Sequence, residues 1–197
     1  MVADGSNARS WYARSRARVA TGLLLTMPGI PMLFMGQEFL EDKPWSDDVD
    51  GHPELLLYWP GLDDPRDPTM RDFLRFTREL LALRRHLPAL RSEGYAPIHV
   101  HDANRVLAFQ RWVPGIGADV VVVVSLADET RYGYEIGFPR EGCWREVFNS
   151  DVYDGWVNPN GAGNGGSVRA DGPPRHGLPA SASLTLPANA ILLFAAP

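Results

Sequence analysis

The chain has one cysteine, Cys143, in 197 residues, so it cannot form an internal disulfide. That composition suits a reducing compartment. It also lacks a basic segment followed by an apolar core at its start, where Met1 leads into Val2-Ala3-Asp4-Gly5. No secretory signal is expected there, and the expected location is cytoplasmic. Positive charge is in deficit: the net charge of −5 argues against a nucleic-acid partner and against bulk binding to anionic lipid. The nearest approach to a membrane span is the uncharged stretch from Val19 to Gln37, but Pro28, Pro31, Gly22, Gly29 and Gly36 interrupt it. A helix end followed by a buried strand is the better reading, and no membrane partner is expected.

Metal and phosphate signatures are missing too. The five histidines, at 52, 86, 99, 101 and 176, show no ligand spacing with Cys143. His99 and His101 fall on one face of a strand and read as a surface pair. Asp48-x-Asp50-Gly51 has part of a calcium loop, but the first ligand position would be Ser46 and the twelfth Leu57. The glycines from Gly161 to Gly166 follow no strand and open no helix, so they make no phosphate cradle. No metal and no organic cofactor is expected.

The residues present include 45% hydrophobic, enough for one large domain or two small ones. The organising stretch is Thr26 to Phe39, a short apolar run bounded by Pro28, Gly29 and Pro31 before it and Gly36 after it. An apolar run without alternation predicts a strand buried on both faces over Ile30–Met35. Ser10 to Met27 predicts a preceding helix, capped by Ser6 or Asn7, with Tyr12, Val19, Leu23 and Met27 as its apolar stripe. Its arginines 9, 14, 16 and 18 read as a solvated face. An irregular acidic segment runs from Phe39 to Asp67. Asp67-Pro68 then opens a second helix whose stripe includes Met70, Phe73, Leu74 and Leu80, and Pro88 stops it.

After Gly94 the pattern turns to short β segments. Strands are expected near Tyr95–His101, Arg105–Trp112, Asp119–Ser125, Tyr134–Phe138, Cys143–Phe148, Ser183–Leu186 and Ala190–Ala195. Val120 to Val124 reads as a central strand. The stretch from Ser150 to Pro179 is a Gly/Pro/Asn-rich excursion, and a domain boundary falls near Ser92. The β part should carry a core of its own, whereas the first ninety residues should not.

Helix, Pro/Gly turn, buried strand and polar loop make one step of an α/β barrel. Pro28-Gly29-Ile30-Pro31-Met32-Leu33-Phe34-Met35-Gly36-Gln37-Glu38-Phe39 resembles the eighth barrel strand of the α-amylase superfamily, glycoside hydrolase family 13. Arg9-Ser10-Trp11-Tyr12-Ala13-Arg14-Ser15-Arg16, Glu41-Asp42-Lys43-Pro44-Trp45-Ser46-Asp47-Asp48, Asn149-Ser150-Asp151 and Asn164-Gly165-Gly166 resemble the 1,4-α-glucan branching enzymes within it. The resemblance covers the whole chain but only the last third or so of such an enzyme.

It implies an α+β fragment: the last helix–strand–helix of a (β/α)8 barrel over residues 1–91, then an all-β antiparallel sandwich over 92–197. The implied parent activity is retaining cleavage of an α-1,4 glucan and transfer to an α-1,6 branch. In that family the nucleophile and acid come from earlier strands, so no catalytic residue is expected in this chain, and it is expected to be inactive alone. Alternatives are another family 13 α-glucan hydrolase, of amylase or trehalohydrolase type, or a stand-alone non-catalytic glucan-binding or scaffold module.

The candidate substrate-binding residues are Gln37 and Glu38, at the end of the expected strand, and Trp45, which offers a face for a glucose ring. Glu38 reads rather as a brace for the following loop, with an indirect effect on the site, and Trp45 equally as packing on the rim. Tyr58 and Trp59, after Leu55-Leu56-Leu57, read as packing. His101-Asp102 is similar to the family's His-Asp pair, but its place between two strands predicts a hairpin tip. The partner implied is an α-glucan, with self-association through the incomplete barrel.

Overall fold

A computed structural model describes residues 4–196. Met1, Val2 and Ala3, part of the start considered for a leader, lie outside the described residues. Two helices, α1 (Trp11–Thr26) and α2 (Thr69–His86), precede the strands β1 (Gly94–His101), β2 (Val106–Trp112), β3 (Val120–Ser125), β4 (Arg131–Phe138), β5 (Gly142–Asn149), β6 (Ser167–Ala170), β7 (Ala180–Leu186) and β8 (Ala190–Ala195). Six strands form a sheet in the order β1-β2-β3-β8-β5-β6, and β4 pairs with β7 in a second sheet. All pairings are antiparallel. Among the described residues no helix is long and apolar enough to cross a membrane.

The reason for three layers can be read from β3, whose valines do not alternate with polar residues. Val120, Val122 and Val124 face the helices with Phe109, Ile191 and Leu193. Val121 and Val123 face β4 and β7, with Ile136, Phe138, Leu192 and Phe194. A strand covered on both faces needs apolar residues at every position. The hairpin at His101-Asp102 is present, with the Arg105 N–H donating to the Asp102 carbonyl at 3.0 Å.

The strand β6 was not expected. Its four residues lie inside the Gly-rich excursion and pair with Gly142 to Arg145 of β5. They are too few, and too close to Gly165 and Gly166, to show a pattern.

The expected buried strand at Ile30–Met35 is not a strand. The segment is irregular and pairs with no other, Ile30 is 99% exposed and Met32 73%, and residues 30–33 make no backbone–backbone hydrogen bond among the described residues. An apolar run becomes a two-sided strand only where neighbouring strands and covering helices exist. Here no strand pairs with the run among the described residues, and its neighbours are residues of the loop that follows, such as Trp45 against Phe34.

The cap and stripe of α1 also differ from expectation. Ser10, not Ser6 or Asn7, caps the helix, its hydroxyl accepting from the Ala13 N–H at 3.1 Å. Ser6 and Asn7 instead donate to the Asp4 carboxylate. The buried positions include Ser15, Arg18, Val19, Gly22 and Thr26, while Tyr12 is exposed. The arginines are not a solvated face. Arg18 is 3% exposed and donates to Asp154 at 3.2 Å, Arg14 donates to Asp154 at 3.0 Å, and Arg9 and Arg16 bond Asp42 and Asp128. At Gly22 the helix comes so near β8 that an added Cβ would lie 2.7 Å from Ile191 Cγ2.

Helix α2 starts one residue later than expected: Pro68, not Asp67, stands at the cap position and Thr69 is the first helical residue, while the Asp67 carboxylate accepts from the Thr69 N–H at 3.0 Å. Phe76 packs on Phe148 and Tyr153, and the Tyr153 hydroxyl donates to Glu79 at 2.5 Å. Burial and that neighbouring carboxylate push the Tyr153 phenol well above its ordinary value. The β part therefore does not own all of its core: Val19, Leu25, Phe73, Phe76 and Leu80 from the helices complete it.

Candidate functional site

The loop from Phe39 to Asp67 folds back over α1 and the Ile30–Met35 segment. Between them lies a concavity of about 660 Å³, whose lining includes Ala17, Thr21, Phe34, Gln37, Trp45 and Leu57. A second, of about 400 Å³, lies between Met35, Trp45, Leu56 and Trp59. Trp45 borders both, is 56% exposed, and meets Phe34 edge-on with centroids 6.1 Å apart. Its indole is thus held at the mouth of an apolar hollow with much of the ring free.

Gln37 and Trp45 are brought to one concavity; Glu38 does not line it. Gln37 is fastened at both ends of its amide. Its Nε2 donates to Thr21 Oγ1 at 3.3 Å, and its Oε1 accepts from the Phe34 N–H at 3.4 Å. Glu38 lies in a turn of 3₁₀ helix, Gln37–Phe39, and its carboxylate accepts no hydrogen bond among the described residues. The loop is braced by Glu41 instead, which accepts from the Tyr58 N–H at 2.6 Å and the Asp42 N–H at 3.1 Å. Trp59 packs on Phe39 at 4.8 Å, and Lys43 reaches over Tyr58, its ammonium 5.2 Å from the ring. The role of Glu41 left no signal in the sequence, where it is one acid among several.

The exit from α1 is fixed by two buried guanidinium groups that bond no carboxylate among the described residues. Arg84 donates to the carbonyls of Leu25 at 2.8 Å and Gly29 at 2.7 Å. Arg111 donates to Gly94 at 2.9 Å, to Ser92 at 2.5 Å and to Thr26. Cations suit a helix C-terminus, where carbonyls lack intrahelical partners. Burial holds both groups below the ordinary arginine value; Arg91 adds repulsion at Arg84, and Arg84 adds it at Arg111. They aim the chain into the exposed segment.

The motifs around Asn149 and Asn164 are ties for the excursion. Asn149 Nδ2 donates to the Ala162 carbonyl at 2.7 Å, and the Asp151 carboxylate accepts from the Ala162 N–H at 3.0 Å. Ser150 Oγ accepts from the Ile191 N–H at 2.9 Å. Asn164 Oδ1 accepts from the Thr185 N–H at 2.8 Å, while its amide and its backbone N–H donate to Glu146. These residues do structural work in the β part.

Residues 98–196 match a family described as alpha amylase, C-terminal all-beta domain. The chain belongs to that family. This alpha-amylase C-terminal domain and its helices also resemble longer bacterial proteins. They are 37% identical over 185 residues to the 1,4-alpha-glucan branching enzyme GlgB of Frankia casuarinae, a match covering 90% of this chain and 21% of that protein. For the GlgB of Cupriavidus pinatubonensis the values are 36% over 193 residues, 93% and 24%. For GlgB 1 of Xanthomonas euvesicatoria they are 38% over 185 residues, 90% and 24%. The chain thus spans under a quarter of the length of these relatives. A solved structure of CldA, a cyclomaltodextrin glucanotransferase with a three-domain ABC distribution, matches with a TM-score of 0.62 at 16% identity. It covers 92% of this chain and 32% of that one. At that identity the likeness is one of fold.

Proposed function

We propose that this chain works as the C-terminal part of a 1,4-α-glucan branching enzyme, and that by itself it is catalytically inert. One observation carries the reading. Phe34 and Met35 line the concavity holding Gln37 and Trp45, Ile30 and Met32 precede them and all four are exposed, so the chain presents an apolar segment that pairs with no strand among the described residues. That supports the segment as the last strand of a barrel whose other strands come from the portion that the longer relatives have in addition. Trp45 then offers its free indole face to a glucose ring, and Gln37, held by Thr21, bears on the same hollow. Glu38, whose carboxylate accepts no hydrogen bond among the described residues, is free to bear on that additional portion. The acid and nucleophile, about 5–5.5 Å apart in a retaining enzyme, come from that portion. The reaction takes place in the cytoplasm on a glycogen-type α-glucan and needs no cofactor.

The test is incubation of the purified chain with amylose while iodine absorbance and reducing ends are followed. No change above a buffer control is expected. Turnover that follows the chain through purification would overturn the proposal and make the chain an enzyme in its own right.

A further inference from the structure

Where β1 of the large sheet meets β4 of the small one, three histidines from two distant segments come together. His99 and His101 share a face of β1, with ring centroids 5.7 Å apart. His176, from the connection between β6 and β7, stacks on His99 with centroids 4.1 Å apart and planes 21° from parallel. It gets there on a tight turn. Arg175 and Leu178 exchange both backbone hydrogen bonds, at 3.0 and 2.9 Å, and His176 and Gly177 have φ of 52° and 76°. That is the geometry of a type I′ turn. The tip lies directly on β4, where a Cβ at Gly137 would come 2.3 Å from the Arg175 carbonyl oxygen.

The hydrogen bonds set the protonation state. The Gly137 N–H donates to His176 Nδ1 at 3.2 Å, and the Asn104 N–H donates to His101 Nδ1 at 3.0 Å. A backbone N–H only donates, so both Nδ1 atoms carry lone pairs. His99 Nε2 lies 2.8 Å from the Tyr134 hydroxyl, whose oxygen also accepts from Asn104 Nδ2 at 3.1 Å. The neighbouring charges on β4 and the turn are Glu135 and Arg175, which pair with each other. Among the described residues Glu135 is the carboxylate that acts on His176, and it is already paired with Arg175; none acts on His99. The rings lie face to face, and no group of three or more His, Cys, Asp or Glu among the described residues is placed to hold a metal ion.

We propose that the His99–His176 stack is a proton-operated latch, which when neutral fastens the connection around residues 171–179 to β4 and to the edge strand β1, and which acid releases. A proton on His176 Nδ1 would point at the Gly137 N–H and break that bond. A proton on His99 would set its charge against His101, His176 and Arg175. Burial, then repulsion from these neighbours, holds His99 below the ordinary histidine value. For His176, burial and Arg175 outweigh the opposing pull of Glu135. With both values lowered on folding, the stabilisation is complete above the unfolded value of about 6.5 and is lost as pH falls through the folded values. Release frees the His99 ring of β1, an edge strand, from the His176 ring stacked on it.

The experiment is amide exchange at Gly137, read by NMR on the full chain from pH 7.5 to 5 and corrected for intrinsic rate. Protection should fall up to about tenfold per pH unit for each proton taken up on opening. His176→Asn keeps an acceptor for the Gly137 N–H, tolerates positive φ and does not titrate, so its protection should stay level. His99→Phe keeps a stacking ring and should lessen the slope. Loss of solubility near the isoelectric point of about 5.5 affects all three chains alike, so the comparison at equal pH isolates the latch. Parallel slopes in all three overturn the proposal, as does a wild-type Gly137 that stays protected while His176 titrates. If His176→Asn does not fold, the His99→Phe slope alone decides. These outcomes are independent of any activity on glucan.

Discussion

Arg18 on the first helix and Asp154 beyond the fifth strand meet at 3.2 Å across 136 residues of sequence, with the arginine almost wholly out of solvent. Burial alone would raise the Asp154 carboxyl, but Arg14 and Arg18 outweigh it and hold the carboxyl below its usual range. Removing the acid leaves a buried charge uncompensated, which costs about 3–5 kcal/mol. Asp154→Ala should therefore lower the urea midpoint by far more than a surface substitution does.

The same pair sets an acid limit. A carboxyl lowered on folding contributes stability that is complete above its unfolded value of about 3.9 and is lost as pH falls below it. Between pH 5 and pH 3 the wild-type urea midpoint should fall more steeply than that of Asp154→Asn, the same measurement being made on both.

Gly22 offers a test of how closely α1 lies on the sheet. In an exposed helix Gly→Ala stabilises by up to about 1 kcal/mol. Here the new methyl would meet Ile191 at 2.7 Å, in a residue with no exposure. Gly22→Ala should destabilise the chain by about 1–2 kcal/mol, and Ile191→Ala should recover part of that in the double variant, a coupling that thermal melts of all four chains can measure.

Removing the helices should not liberate a soluble β unit. A chain beginning at Ser92 would expose Phe109, Val122, Val124, Ile191 and Leu193 to water, each worth roughly 1.5–3 kcal/mol when buried. It should scatter light more strongly than the full chain at equal concentration. Ile30→Asp with Met32→Asp, by contrast, should reduce the scattering of the full chain, since those side chains are already exposed.

The sequence was most informative where a local pattern and its surroundings agree. The valines of β3, the start of α2 to within one residue and the Asp102 turn were all readable, because each is decided by residues a few positions apart. The Ile30–Met35 run misled because its pattern is that of a strand in a sheet the described residues do not supply. The sheet-facing side of α1 misled in the opposite way. Ser15, Arg18 and Gly22 look like a polar surface, and only the distant Asp154 and Ile191 make them interior. The site was legible as far as Gln37 and Trp45, which share a hollow. That Glu41 braces the loop, and that His176 comes to rest on His99, depend on contacts across 17 and 77 residues that no local pattern encodes.

The claim that this chain completes a branching enzyme is tested most directly by substitution into one. The matching 21% of the Frankia casuarinae enzyme is replaced by this chain, and α-1,6 linkages formed from amylose are counted after debranching. The account predicts that the hybrid branches amylose, and that the same enzyme lacking this portion does not. A hybrid that folds as a monomer, keeps the rest of the enzyme intact and still forms no branches would contradict it.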